Sequence, residues 1–379
     1  MMSDNRLRAV LALGQSLWLD FISRELLASG GLQRLVDDDG IRGLTSNPAI
    51  FEKAIGSSSD YDAALRAQVE AGVSDPQALF EHLAIADIRA AADALKPVYA
   101  QSQAVDGYVS LEVSPRLAHD SAGTVEQARR LWREVGRDNL MIKVPGTAAG
   151  VVAVRTLIGE GVNVNVTLLF SREAYRAVAE AYIDGVEACA ARGGKVARLA
   201  SVASFFVSRI DTAVDAELEK RAATADAATQ SRLRALLGRV AIANARLAYQ
   251  DGLALFSSPR WQQLADQHQA QPQRLLWAST GTKNPAFRDT LYVEELIGAN
   301  TVNTVPPATL DAFRDHGVAA SRLDQELDAA QRVFSEIAAL NLPFAALTER
   351  LVSEGVQLFV DADDKLLAAV ARKRDAMTG

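Results

Sequence analysis

Lys143 stands inside the apolar run Met141-Ile142-Lys143-Val144-Pro145, a setting from which an ammonium group is normally expelled. A lysine stripped of hydration holds its proton less firmly. Its pKa then falls from about 10.4 toward neutrality, and the nitrogen becomes a nucleophile for carbonyl carbon with a Schiff base as product. Forming and dehydrating a carbinolamine requires carboxyl groups that pass protons, and Glu112 and Asp20 each lie at the end of a short apolar run. A plainer reading exists for each residue. The lysine could lie on an exposed strand or snorkel outward, and the acids could simply pair with it or with backbone amides.

A second set of residues suits hydroxyls and phosphate. Asn47, Asn165, Thr167 and Ser204 can hydrogen-bond a polyol, although each alone is more often a turn or capping residue. Arg209, Ser279 and Lys283 could hold a phosphate, the last two within the compact, hydroxyl-rich segment 279–284. That segment is not a P-loop, because it lacks the strand-GxxxxGK[ST]-helix frame. By spacing, Phe206 reads as core rather than substrate wall.

These residues need a scaffold that brings them together, and the chain alternates short apolar runs with helical stretches. The runs cover residues 16–21, 41–47, 107–113, 140–145, 162–169, 196–206, 275–280 and 301–305, with polar ends at Asp20, Asn47, Glu112, Lys143, Thr167, Ser204, Ser279 and Thr304. Pro48 stops the second run. Asp75-Pro76 opens a helix whose Phe80, Leu83, Ala84, Ile88, Ala91 and Leu95 follow the 3.6-residue period, and Ser171 opens another that closes at Gly193-Gly194. Strand and helix repeated eight times is the pattern of a closed parallel barrel, for which about 250 residues suffice. The active residues of such a barrel sit at the C-terminal strand ends. The expected fold is therefore α/β, a (β/α)8 TIM barrel over residues 1–379 with additional helices at 217–248 and 320–340. A doubly wound open sheet is the competitor, since periodicity does not show closure.

Composition excludes several other functions. Of 379 residues, 49% are hydrophobic and 23% charged, and the net charge of -7 disfavours a broad nucleic-acid-binding face. One cysteine, Cys189, cannot form an internal disulfide, and four scattered histidines give no metal-ligand cluster. The chemistry must therefore come from other side chains. No run approaches the roughly 18 apolar residues of a membrane span. The apolar residues 9–13 are broken by Gly14, Gln15 and Ser16 with no cleavage pattern after them. A soluble, cytoplasmic protein is expected, a monomer or homodimer with no membrane or nucleic-acid partner.

The blocks Gly43-Leu-Thr-Ser-Asn-Pro48, Ser110-Leu-Glu-Val113, Met141-Ile-Lys-Val-Pro145, Asn165-Val-Thr-Leu-Leu-Phe-Ser171 and Trp277-Ala-Ser-Thr-Gly-Thr-Lys283 occur in one order, within matching segments that run from about residue 17 to 305. Together they resemble the transaldolases, of the longer bacterial type. The resemblance implies a class I aldolase barrel, without metal or organic cofactor, that transfers a dihydroxyacetone unit between sugar phosphates in the pentose phosphate pathway. It places the Schiff-base lysine at Lys143 and the catalytic acids at Glu112 and Asp20, with Thr167 assisting. Substrate-binding roles fall on Thr45 and Asn47 of the TSNP block, on Asn165, and on Ser204, Phe206 and Arg209 of an S-x-F-x-x-R pattern. Phe205 stands where many relatives have proline. Shorter relatives carry an arginine soon after the serine of the seventh strand, whereas this chain offers Ser279 and then Lys283, a point charge rather than a bidentate fork. Two other readings remain open: a Schiff-base aldolase that releases free dihydroxyacetone, and a non-catalytic sugar-phosphate-binding barrel.

Overall fold

The computed structural model describes residues 5–378. Its strands are β1 (Gln15–Leu19), β2 (Gly43–Leu44), β3 (Tyr108–Glu112), β4 (Leu140–Pro145), β5 (Val164–Leu169), β6 (Ser201–Phe206), β7 (Arg274–Ala278) and β8 (Thr301–Val305). Each pairs with the next in parallel, and β8 returns to β1 through a five-residue register from Gln15↔Thr301 to Leu19↔Val305. The sheet is thus closed, and the open doubly wound alternative is excluded. Every position of β4, β5 and β6 is buried, which explains why these strands read as near-continuous apolar runs.

The strand borders differ from the sequence reading for local reasons. β2 has only two residues, because Asn47 is already the N-cap of the helix Pro48–Gly56, its side chain accepting from Ile50 N. Residues Val196–Arg198 form a 3-10 turn ahead of β6 instead of extending it. β1 and β7 stop short of Asp20 and Ser279, which leaves both side chains on the loops at the barrel mouth. Gly43 is required by close packing: a Cβ there would meet the Trp18 ring at 2.6 Å.

The helices follow their caps. Asp75 accepts from Ala78 N and starts Pro76–Gln101, and Ser171 accepts from Ala174 N and starts Arg172–Ala191. The N-terminal apolar residues belong to the helix Arg6–Ala12, capped by Asn5. Residues 217–248 fall in three helices, Ser208–Ala222, Ala227–Arg234 and Val240–Phe256, and 320–340 contains Leu327–Ala339. The sequence reading did not single out the helix Phe344–Thr378, the longest of the described residues at 35 residues. It packs along Pro48–Gly56 and Pro76–Gln101 and reaches β5. There a Cβ on Gly355 would meet Leu168 Cδ2 at 2.8 Å. Leu168 lies in a register shift between β5 and β6 with φ 62°, an uncommon conformation for a non-glycine residue.

At the N-terminal end of the barrel, Asp106 accepts from Ser16 Oγ (2.7 Å), Trp18 Nε1 (3.1 Å) and an Arg274 NH group (2.9 Å). This closed network lies away from the C-terminal mouth and ties β1 to β7. Among the described residues, no helix is long and apolar enough to cross a membrane, and no group of His, Cys, Asp and Glu could hold a metal ion.

Candidate active site

Register decides which side chains meet. Lys143 pairs laterally with Glu112 of β3 and with Asn165 of β5, so the three side chains share one layer of the barrel. Lys143 is only 5% exposed, and its Nζ lies 3.3 Å from Glu112 Oε2. It donates to the Ser46 carbonyl at 3.2 Å. The ring of Phe359, carried by the C-terminal helix, is centred 5.5 Å from the same nitrogen. The reading of Lys143 as an exposed strand lysine is therefore wrong.

The two acids are held differently. Among the described residues Glu112 Oε1 and Oε2 make no hydrogen bond, the contact with Lys143 being an ion pair without hydrogen-bond geometry. Asp20 accepts from Thr45 Oγ1 at 2.7 Å, and that hydroxyl lies 2.5 Å from Thr304 Oγ1. Loss of hydration raises the proton affinity of both carboxyls above the usual range, and the charge of Lys143 only partly opposes it. Thr167 Oγ1, two residues beyond Asn165, is buried and without a hydrogen-bond partner among the described residues. The layer thus combines an amine, two acids inclined to hold protons and a hydroxyl with unused bonding capacity.

One pocket at the C-terminal mouth collects most of the sequence candidates: Asp20, Thr45, Asn47, Lys143, Thr167, Ser204, Phe206, Arg209, Ser279 and Lys283 all line it, joined by Thr304 and Phe359. Asn165 and Glu112 do not line it. Asn165 lies fully buried beneath the mouth, accepting from Ser204 Oγ (2.7 Å) and donating to Ser110 Oγ (3.0 Å), so it fixes Ser204 rather than facing the pocket. Asn47 is both a helix cap and a lining residue, the two readings being compatible because its amide NH2 is left over by the cap. Phe206 is nearly buried yet lines the pocket, with Phe170 centred 5.1 Å away on one side and the Arg209 guanidinium 5.3 Å over its ring. Phe205, at the departure from the family pattern, points elsewhere and packs edge-on against Trp277 at 6.1 Å.

The rim is electropositive. Arg209 makes no ion pair among the described residues, and its burial lowers its proton affinity from the usual guanidinium range. Lys283 is exposed on the loop after β7 and has no acidic partner among the described residues either. Ser279, at φ 56°, places its hydroxyl 2.9 Å from Ser208 Oγ. Two unneutralised cations and a hydroxyl pair form a seat for an anion opposite the lysine.

Phe359 and the neighbouring Asp363 were not anticipated. The apolar period Leu347, Leu351, Phe359, Leu366 and Val370 marks a buried helix face, but nothing in that period says that the face lies against β4.

Fold and site together define a (β/α)8 barrel equipped for lysine-centred aldol chemistry. The sequence pattern of the family described as Transaldolase/Fructose-6-phosphate aldolase matches residues 17–370. The chain is 45% identical over 376 residues to Transaldolase 2 of Nostoc sp., covering 98% of each chain. It is 44% identical over 380 residues to Transaldolase of Trichodesmium erythraeum, covering all of both chains. Against Transaldolase of Thiobacillus denitrificans the identity is 48% over 366 residues, covering 97% of this chain and 99% of the other. The chain belongs to the transaldolase/fructose-6-phosphate aldolase family.

Proposed function

We infer that the protein catalyses the transaldolase reaction, the reversible transfer of a dihydroxyacetone unit from sedoheptulose 7-phosphate or fructose 6-phosphate to glyceraldehyde 3-phosphate or erythrose 4-phosphate, as a cytoplasmic enzyme of the pentose phosphate pathway. The observation that carries this reading is the buried Lys143 ammonium 3.3 Å from a carboxyl that loss of hydration inclines to take its proton.

Lys143 yields a proton to Glu112 and its nitrogen attacks C2 of the ketose. Glu112 returns that proton to the carbinolamine oxygen, then takes a second from the carbinolamine nitrogen and passes it to the same oxygen, which leaves as water, with Thr167 Oγ1 as the hydroxyl that steadies it. The iminium that remains draws electrons from the C3 to C4 bond as Asp20 removes the C4 hydroxyl proton. An aldose phosphate departs. The neutral enamine stays on Lys143, its hydroxyls bound by Asn47 and Ser204. An acceptor aldehyde then enters, the carbon bond forms, Asp20 gives its proton to the new hydroxyl, and hydrolysis frees the product. Arg209, Ser279 and Lys283 hold the phosphate of donor and acceptor in turn.

The test is borohydride reduction in the presence of fructose 6-phosphate. It should inactivate the protein and leave a three-carbon adduct on the peptide that contains Lys143. Steady-state transfer should follow ping-pong kinetics, because the enamine outlives the first product. Intact catalysis in Lys143→Ala would remove the assignment.

A further inference from the structure

The ion pair between Lys143 and Glu112 is also a boundary between two pockets. Lys143 lines the pocket at the barrel mouth, whereas Glu112 lines a second pocket behind it, walled by Phe51, Phe80 and Leu111 and containing Glu81 and Asp363. The C-terminal helix serves both. Phe359 and Asp363 are four residues apart and so share a face, with Phe359 in the first pocket and Asp363 in the second.

Asp363 is a costly residue to keep there. It is 3% exposed, and it makes no hydrogen bond or ion pair among the described residues. A buried carboxyl without partners destabilises a fold, and an apolar side chain would suit these walls better. Glu81, by contrast, is neutralised by Arg130 at 2.8 Å and accepts from Gln77 Nε2 at 3.1 Å. The charged groups that act on Asp363 are Arg116 from the turn Pro115–Leu117, Glu81 from Pro76–Gln101 and Asp364 on its own helix. Those acting on Glu112 are Lys143, Asp20 and Asp363. Asp363 is thus an acid without an ion pair among the described residues, opposed only by the charge of Arg116, in the pocket that Glu112 lines and Lys143 does not.

We propose that Asp363 is a positioning residue of the reaction, acting through Glu112 from the pocket behind the barrel mouth, so that Glu112 takes up each proton that leaves the Lys143 nitrogen and holds it until it passes to the carbinolamine oxygen. This rests on the transaldolase reading above. Asp363 lines the same small pocket as Glu112, and its charge disfavours the charged form of Glu112. The proton count balances: two protons pass in turn from the nitrogen through Glu112 to the oxygen that departs as water.

The experiment compares the full-length protein with Asp363→Asn. Formation of the borohydride-trapped adduct with fructose 6-phosphate should slow about tenfold near neutral pH, and the acid limb of kcat/KM should move down by about half a pH unit or more. KM for fructose 6-phosphate should stay within about twofold, since Asp363 does not line the mouth pocket. A purely structural role would leave the pH profile in place. If asparagine prevents folding, Asp363→Leu, which matches the apolar walls, is read by the same two measurements. Superimposable profiles and trapping rates would overturn the proposal. Failure of the unaltered protein to form any adduct would instead overturn the functional reading on which it rests.

Discussion

Replacing Phe359 by alanine asks what decides the fate of the enamine. The ring is 6% exposed and sits 5.5 Å from Lys143 Nζ, on a helix laid over the open end of the barrel. Truncating a buried phenylalanine costs about 3–5 kcal/mol, and losing the cation–π contact about 0.5–2 kcal/mol, part of the same total. The low end applies, because the carrying helix can settle into the space as a core strand cannot. The catalytic consequence follows from water. An enamine that meets a proton donor becomes a released ketone, so transfer requires that water be kept from its carbon while the acceptor arrives. If the ring raises the barrier to that protonation by about 1.4 kcal/mol, its removal changes the partition about tenfold. Fructose 6-phosphate would be supplied with and without erythrose 4-phosphate, and free dihydroxyacetone measured against sedoheptulose 7-phosphate formed. Phe359→Ala should raise the ratio of release to transfer about tenfold, and Phe359→Leu, which keeps most of the volume, by much less. An alanine variant that loses stability yet keeps the original ratio would show that the ring only packs, and would refute the shielding argument.

Arg209→Met and Lys283→Ala should each raise KM for fructose 6-phosphate about tenfold or more, from the loss of one charge-assisted hydrogen bond worth about 1.5–3 kcal/mol. Turnover of unphosphorylated fructose should be untouched; equal losses with both sugars would move these cations out of the phosphate seat. Stability should also depend on pH through Asp211, which accepts from Ala241 N at 2.8 Å and from the Tyr292 hydroxyl at 2.9 Å. Burial, aided by the charge of Asp215, pushes its carboxyl up to about 7. The folded pKa is higher than the unfolded one, so the contribution of the protonated group is complete below the unfolded value. It is lost as pH rises through about 7, at up to about 1.4 kcal/mol per pH unit. Asp211→Asn, a neutral isostere, should flatten the denaturant-melt stability between about pH 5 and 8 and gain most at the upper end. A variant whose curve parallels that of the parent would contradict this.

Much of the catalytic layer could be read from the chain because each strand is short and ends where its polar residue stands. Lys143 was conspicuous as an ammonium inside an apolar run, and the joint order of the five blocks carried the family. The spacing of the runs gave eight strands. It could not give the precise borders: Asn47 left its strand because its side chain caps a helix, and residues 196–198 curled into a turn because their hydrogen bonds are local. One assignment changed in kind. Asn165 reads as a substrate ligand by motif, yet its side chain is spent on Ser204 and Ser110. Phe206 reads as core by spacing and as a substrate-binding residue by resemblance, and it is both buried and part of the pocket lining.

By itself, then, the order of residues determined the alternation of strand and helix and pointed to a candidate nucleophile, candidate acids and cations that would suit phosphate, because these depend on residue type and on periods of two to four positions. Closure of the sheet, the lateral pairing of Lys143 with Glu112, and the arrival of Phe359 and Asp363 were decided only by tertiary structure. These are contacts between segments dozens to hundreds of positions apart. Local periodicity shows that a helix face is buried, and only packing in three dimensions selects the surface that buries it.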